Sequence, residues 1–274
     1  MFTLNCKGKL LVLDNPVAMG IINATPDSFY KGNINEDMLL LAEQMIADGA
    51  MILDIGGQST RPGSDRIGTA EELKRVIPVI QAISKKFPGT ILSIDTYSSE
   101  VAAAAVDAGA SIVNDISAGN MDAQMIDTVA ALKVPYVCMH MQGTPATMQK
   151  DPHYNDVAKD VLDFFIAAVD TCKQAGIIDV IIDPGFGFGK NIEHNFSLLK
   201  KLEVLQMLHK PILAGISRKS TIYKTLHTTV DKALNGTTVL NTIALMKGAS
   251  ILRVHDVKEA VEAITLFKAY KKAP

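Results

Sequence analysis

Residues 47–57 read ADGAMILDIGG, and the phrase returns as DAGASIVNDIS at 107–117 and as MKGASILRVHD at 246–256. A looser version, QAGIIDVIIDPG, stands at 174–185. Each closes an amphipathic stretch with a glycine, runs through a short apolar segment and finishes on polar groups. Glycine ends helices because, lacking a Cβ, it enters the left-handed backbone region without cost. An unbroken apolar run after it, in place of alternation, marks a parallel strand covered on both faces. The phrase therefore reads as helix, glycine stop, buried strand and functional end.

Working outward, comparable apolar runs lie at 17–22, 51–55, 91–94, 111–113, 134–139, 179–182, 211–216 and 251–254. Amphipathic segments separate them. TAEELKRVIPVIQAISKKF, from Thr69, has apolar residues at helical spacing and predicts a capping box of Thr69 with Glu72. NDVAKDVLDFFIAAVDTCKQAG, from Asn155, and DVKEAVEAITLFKAYKK, from Asp256, have the same character. Eight strands alternating with eight helices, with no Pro-, Gly- or Ser-rich linker, predict an α/β fold. The specific expectation is a (β/α)8 TIM barrel, with residues 1–274 as one domain. MFTLNCKGKLLVLDN, at 1–15, predicts a short β-hairpin closing the bottom. An open doubly wound sheet is the alternative, because a count of strands does not close a ring.

With 48% apolar residues, the 274-residue chain can bury a large core. A formal net charge of −2 gives no reason to expect nucleic acid or an anionic membrane as partner. The three cysteines, Cys6, Cys138 and Cys172, form no CxxC pair, which argues for a reducing compartment. No apolar stretch has membrane-spanning or leader character, so a cytoplasmic location is expected.

Barrel enzymes work at the C-terminal ends of their strands. That rim here offers Asn23, Asp54, Asp95, Asn114 with Asp115, Met139 with His140, Asp183, the SRKS run at 217–220, and Arg253 with His255. Any one of these has an ordinary structural use, but folding does not require a polar group after nearly every strand. Arg61, Lys219, Arg253 and His255 have no obvious carboxylate nearby in sequence except Asp256, and convergent cations suit a phosphate or pyrophosphate. Asp95, Asn114 and Asp183 supply acceptors. A carboxylate beside an amide matches the N–C–N donor edge of a planar heterocycle. One pocket with both characters would hold an amino-heterocycle bearing a phosphorylated arm. IIDPGFGFGK, at 181–190, has glycine spacing that fits neither a P-loop nor a dinucleotide fingerprint.

GIINATPDSF (20–29), DIGGQSTRPG (54–63), SIDTYSSEVA (93–102), VNDIS (113–117), MHMQGTP (139–145), IIDPGFGFGK, GISRKS (215–220) and RVHD (253–256) together resemble the dihydropteroate synthase family, in order and spacing, over essentially the whole chain. The first half alone also resembles folate-binding methyltransferases. The resemblance implies condensation of 6-hydroxymethyl-7,8-dihydropterin pyrophosphate with p-aminobenzoate, giving dihydropteroate and pyrophosphate. It implies Asp95, Asp183, Lys219 and Arg61 as the catalytic set. Asp95, Asn114, Met139, Asp183, Gly215, Lys219 and Arg253 would meet the pterin. Pyrophosphate would fall to Asn23, Thr60, Arg61, Arg253 and His255, with Asn23 as ligand to Mg²⁺. Thr60, Arg61, Pro62, Phe188, Lys219 and Ser220 would form the p-aminobenzoate site. A homodimer is also implied. Gln58 departs from the family, where glutamate is usual.

Overall fold

The computed structural model describes residues 1–25, 34–58, 67–145 and 147–274. Eight parallel strands form one sheet: β3 (Val17–Asn23), β4 (Ile52–Gly56), β5 (Ile91–Asp95), β6 (Ile112–Asp115), β7 (Tyr136–Met139), β8 (Val180–Asp183), β9 (Leu213–Ala214) and β10 (Ile251–Val254). Their order is β8-β7-β6-β5-β4-β3-β10-β9. Ile182 N donates to Pro211 O at 3.0 Å, and Ile182 bridges Ile212 in parallel, so β8 meets β9 and the ring closes. That closure rules out the open sheet.

The repeated phrase owes its wording to one backbone device. Gly49, Gly109, Gly176 and Gly248 all have φ between 90° and 128°. The residue after each donates back five positions: Ala50 to Met45, Ala110 to Ala105, Ile177 to Cys172 and Ala249 to Ala244, all at 2.9 Å. This is the Schellman stop, which satisfies the last helical carbonyls and aims the chain into the next strand. It ends α1 (Ile34–Ala47), α3 (Ser99–Ala108), α5 (Val157–Gln174) and α8 (Leu234–Met246).

The remaining helices are α2 (Thr69–Lys86), α4 (Met125–Leu132), α6 (Ile192–Lys200), α7 (Ser220–Thr225) and α9 (Val257–Lys272). Two helices, α7 and α8, follow β9 where the pattern predicts one. The capping box at Thr69 does not form. Gly68 is the N-cap of α2 without a side-chain bond, and Thr69 is already helical. Glu72 is instead buried, hydrogen-bonded with Thr96 and packed over Gly57. Tertiary packing outbids the local cap.

Residues of alternating parity along each strand face opposite ways. Leu53, Leu92, Val113, Ile182, Leu252 and their like pack outward against the helices. Met19, Ile52, Ile91, Ile112, Val137, Ile181, Leu213 and Ile251, one from each barrel strand, form a separate interior layer. Leu4, Cys6, Leu11 and Leu13 join it from the hairpin of β1 (Phe2–Cys6) and β2 (Lys9–Leu13). The hairpin is tied to the barrel floor by Asn5 N to Asp179 Oδ2 at 2.7 Å and Lys7 Nζ to Val106 O at 2.6 Å. An interior closed below by apolar packing leaves its upper end for chemistry.

Candidate active site

Two residues further along the same interior faces, the apolar layer turns polar. Above Ile52 stands Asp54, above Ile91 Ser93 and then Asp95, above Ile112 Asn114, above Val137 Met139, above Ile181 Asp183, above Leu213 Gly215 and above Ile251 Arg253. Asp54, Asn114, Met139 and Asp183 are all buried. Arg253 Nε donates to Asp54 Oδ2 and its Nη2 to Asp95 Oδ2, both at 2.6 Å. Asn114 Nδ2 donates to Asp54 Oδ2 at 2.9 Å. These links cross up to 199 residues of chain.

The other oxygens, Asp54 Oδ1 and Asp95 Oδ1, are buried with no hydrogen-bond partner, as is Ser93 Oγ. Burial pushes the Asp95 carboxyl up to about 7, opposed by the Arg253 charge. It raises Asp183 as well, opposed chiefly by Lys219. Orphaned acceptors are costly, about 1–3 kcal/mol each, and are kept where a ligand supplies donors.

The loop after β8 forms a second wall. A Cβ at Gly185 would collide with the His140 carbonyl, and Gly185 has φ +68°, so only glycine fits. At Gly187 a Cβ would meet the Lys219 stem at 3.1 Å, so the glycine gives Lys219 its path across the loop. Lys219 Nζ donates to Phe186 O and lies 4.7 Å from the Phe188 ring centroid. Burial lowers its ammonium to about 8, with Asp183 opposing. An ideal Cβ at Gly215 would sit 3.8 Å from Lys219 Nζ and 3.9 Å from Asp183 Oδ2 and from Arg253 Cβ, so all three groups converge on it. Ser220 opens α7 beside Lys219, and Phe188 is half-buried.

Asp95, Asn114, Met139, Asp183, Gly215, Lys219 and Arg253 thus meet at one opening. Asn23 ends β3 on the same rim, half-buried. His255 Nδ1 lies 3.0 Å from Ser217 Oγ, next to β10. Thr60, Arg61 and Pro62 lie outside the described residues. Arg253, which has no obvious carboxylate partner nearby in sequence, is paired in the fold with Asp54 and Asp95, far away along the chain. Asp256 pairs with Arg218 through Nε–Oδ2 at 2.8 Å and Nη2–Oδ1 at 2.7 Å.

Sequence reasoning placed Asp54 on the rim but gave it no role. Strand parity is the signal that finds it, since Ile52 and Asp54 share a face. The same parity sets Asp115 apart. It points outward, accepting from Tyr136 Oη, Ser117 N and Oγ, and Gly119 N at 2.7–2.8 Å. Lys190 closes the IIDPGFGFGK run, and sequence reasoning assigned it no role.

A family model described as pterin binding enzyme matches residues 19–255. The chain is 44% identical over 268 residues to the dihydropteroate synthase of Escherichia coli (strain K12), covering 96% of this chain and 94% of that one. The chain belongs to the dihydropteroate synthase family. A solved dihydropteroate synthase of Xanthomonas albilineans with 4-aminobenzoic acid matches it with a TM-score of 0.93 and 41% identity, covering 99% of each chain. A dihydropteroate synthase from the same organism in complex with 7,8-dihydropteroate gives a TM-score of 0.90 at 38% identity, covering all of both. The barrel with its bottom hairpin is therefore the dihydropteroate synthase barrel.

Proposed function

We infer that the protein condenses 6-hydroxymethyl-7,8-dihydropterin pyrophosphate with p-aminobenzoate to give 7,8-dihydropteroate and pyrophosphate, a step of folate synthesis. The observation that carries this reading is the Asp54–Arg253–Asp95 group with its two buried, orphaned carboxylate oxygens. Buried acceptors without partners at the upper end of the barrel suit a ligand with an edge of N–H donors, which a pterin has. The relatives crystallised with 4-aminobenzoic acid and with dihydropteroate support the two halves of the reaction.

The roles are those that the family resemblance implies. Asp95, Asn114 and Asp183 take the pterin's donor edge, and Lys219 meets its ring oxygen and nitrogen. Met139 and Arg253 line its faces, and Gly215 leaves the space it fills. The methylene–oxygen bond to pyrophosphate breaks, the methylene–nitrogen bond forms, and the arylamine nitrogen gives up a proton. Buried carboxylates next to the electron-poor ring favour positive charge on it as the leaving group departs. A neutral aniline-type amine is nucleophilic without a strong base. Phe188 walls its ring, with Lys219 and Ser220 beside the pocket. Arg61 and Thr60 would complete the pyrophosphate site with Arg253 and His255, and Pro62 the arylamine site.

Asn23 offers one amide oxygen, a hard ligand that suits Mg²⁺ held mainly by waters and substrate phosphates. Bound there, Mg²⁺ would neutralise charge on the departing pyrophosphate. A homodimer is part of the same proposal, supported by exposed Val239, Ile243 and Met246 on α8 and Leu266 on α9. So is a cytoplasmic setting, supported by three buried free cysteines. Among the described residues no helix is long and apolar enough to cross a membrane.

The test is a pyrophosphate-release assay with both substrates, with and without Mg²⁺. Release that needs p-aminobenzoate and yields dihydropteroate in equal amount is expected. Release independent of the arylamine would overturn the reading.

A further inference from the structure

Nothing in the reaction employs Lys190, yet it is 2% exposed and stands behind the pocket wall. Its Nζ lies 2.9 Å from His140 Nδ1, and 3.0 Å from both the Gly185 and the Phe188 carbonyl oxygens. The His140 carbonyl is further off at 3.5 Å. An ammonium has three protons, and three close acceptors surround it. A buried cation is a poor choice for stability alone, because a methionine of similar length fills such a space at less desolvation cost.

What the ammonium holds is the glycine-rich loop. From 185 to 189 each carbonyl is met by a side-chain donor: Lys190 at 185 and 188, Lys219 at 186, Gln149 at 187 and Tyr154 at 189. Asn195 Oδ1 accepts from Gly187 N at 2.7 Å. The Tyr154 ring also lies 5.9 Å from Lys190 Nζ. A backbone with this much glycine is the most mobile kind when left alone. Pegged at five carbonyls it becomes a fixed wall. Phe188 stands on that wall, and Lys219 is tied to it through Phe186 O and the Phe188 ring.

We propose that Lys190, backed by Tyr154, is the positioning residue of the arylamine half of the site, fixing the glycine-rich loop at the Phe188 ring. This rests on reading Phe188 as a wall of the p-aminobenzoate pocket. The pterin half depends on it less, because Asp183 belongs to β8 and is held in register with Met139 of β7.

Steady-state kinetics with each substrate varied separately tests the assignment in the wild-type protein and in Lys190→Met and Tyr154→Phe. Lys190→Met should raise the KM for p-aminobenzoate tenfold or more and leave that for the pterin pyrophosphate within twofold. Tyr154→Phe should raise the first about threefold with the same selectivity. A folded Lys190→Met protein with both KM values unchanged, or both raised equally, overturns the assignment. If Lys190→Met does not fold by circular dichroism, Tyr154→Phe decides alone: a selective rise supports the assignment and an unchanged arylamine KM removes it. A wild-type protein without arylamine-dependent pyrophosphate release would defeat the proposed function itself. Normal wild-type turnover with unselective variants would defeat only the role of Lys190.

Discussion

The lower and upper layers of the barrel interior are made by the same strands, two residues apart, and differ in almost every physical respect. Below, Ile52, Ile112, Ile181 and Ile251 pack on each other and on the hairpin with no polar atom to satisfy. Above, Asp54, Asn114 and Asp183 are buried and Arg253 half-buried, but two carboxylate oxygens find no donor. One layer is close to its own optimum. The other is complete only around a ligand, and the apolar floor carries the free-energy cost of keeping it ready.

If the contrast is right, upper-layer changes should damage turnover and lower-layer changes the fold. The largest effect is expected at Lys219. Lys219→Ala should lower kcat/KM by about a thousandfold or more, on the order of 4 kcal/mol in the barrier, with a near-normal melting curve. Full activity in the pyrophosphate assay would break the comparison from above. Ile181→Ala, directly beneath Asp183, should cost about 2–5 kcal/mol by denaturant unfolding. Its KM values should stay put below the transition, so a selective loss of activity would break the comparison from below.

His140, outside both layers, sharpens the contrast through pH. Burial, aided by the Lys190 charge, holds its ring down to about 2, against 6.5 when unfolded. Between those values unfolding takes up a proton. The stabilisation is therefore full above pH 6.5 and lost as pH falls, by about 2 kcal/mol at pH 5. His140→Asn should flatten that limb in melting curves taken from pH 8 to pH 5, and an unchanged slope would show that the ring protonates freely in the fold. The smallest change is expected at Asp115, which shares β6 with Asn114 but faces the helices. Asp115→Asn should cost about 1 kcal/mol through its hydrogen bonds and leave both KM values within twofold. A large KM effect would mean that strand parity does not sort function from structure here.

Much of this was legible in the letters. The eight strands, their order, the hairpin and the rim residues follow from apolar runs, glycine stops and short polar ends. Those are local rules of backbone geometry and burial. The capping box at Thr69 misled because Glu72 has a better use over Gly57 than at a helix end. The pairing of Arg253 with Asp54 and Asp95 was not legible, because no local pattern records a partner 158 or 199 residues away. The place of Lys190 was not legible either, because it depends on how the loop folds back on His140, 50 residues earlier.

By itself the sequence determined the class of fold, the end of the barrel that would be polar and the family, since each rests on periodicity or on motifs a few residues long. Only the tertiary structure decided which charges neutralise one another, which oxygens go without a donor and what holds the glycine loop still. Those depend on side-chain reach across a closed ring, and electrostatics at hydrogen-bonding distance answers to separation in space, whatever the separation along the chain.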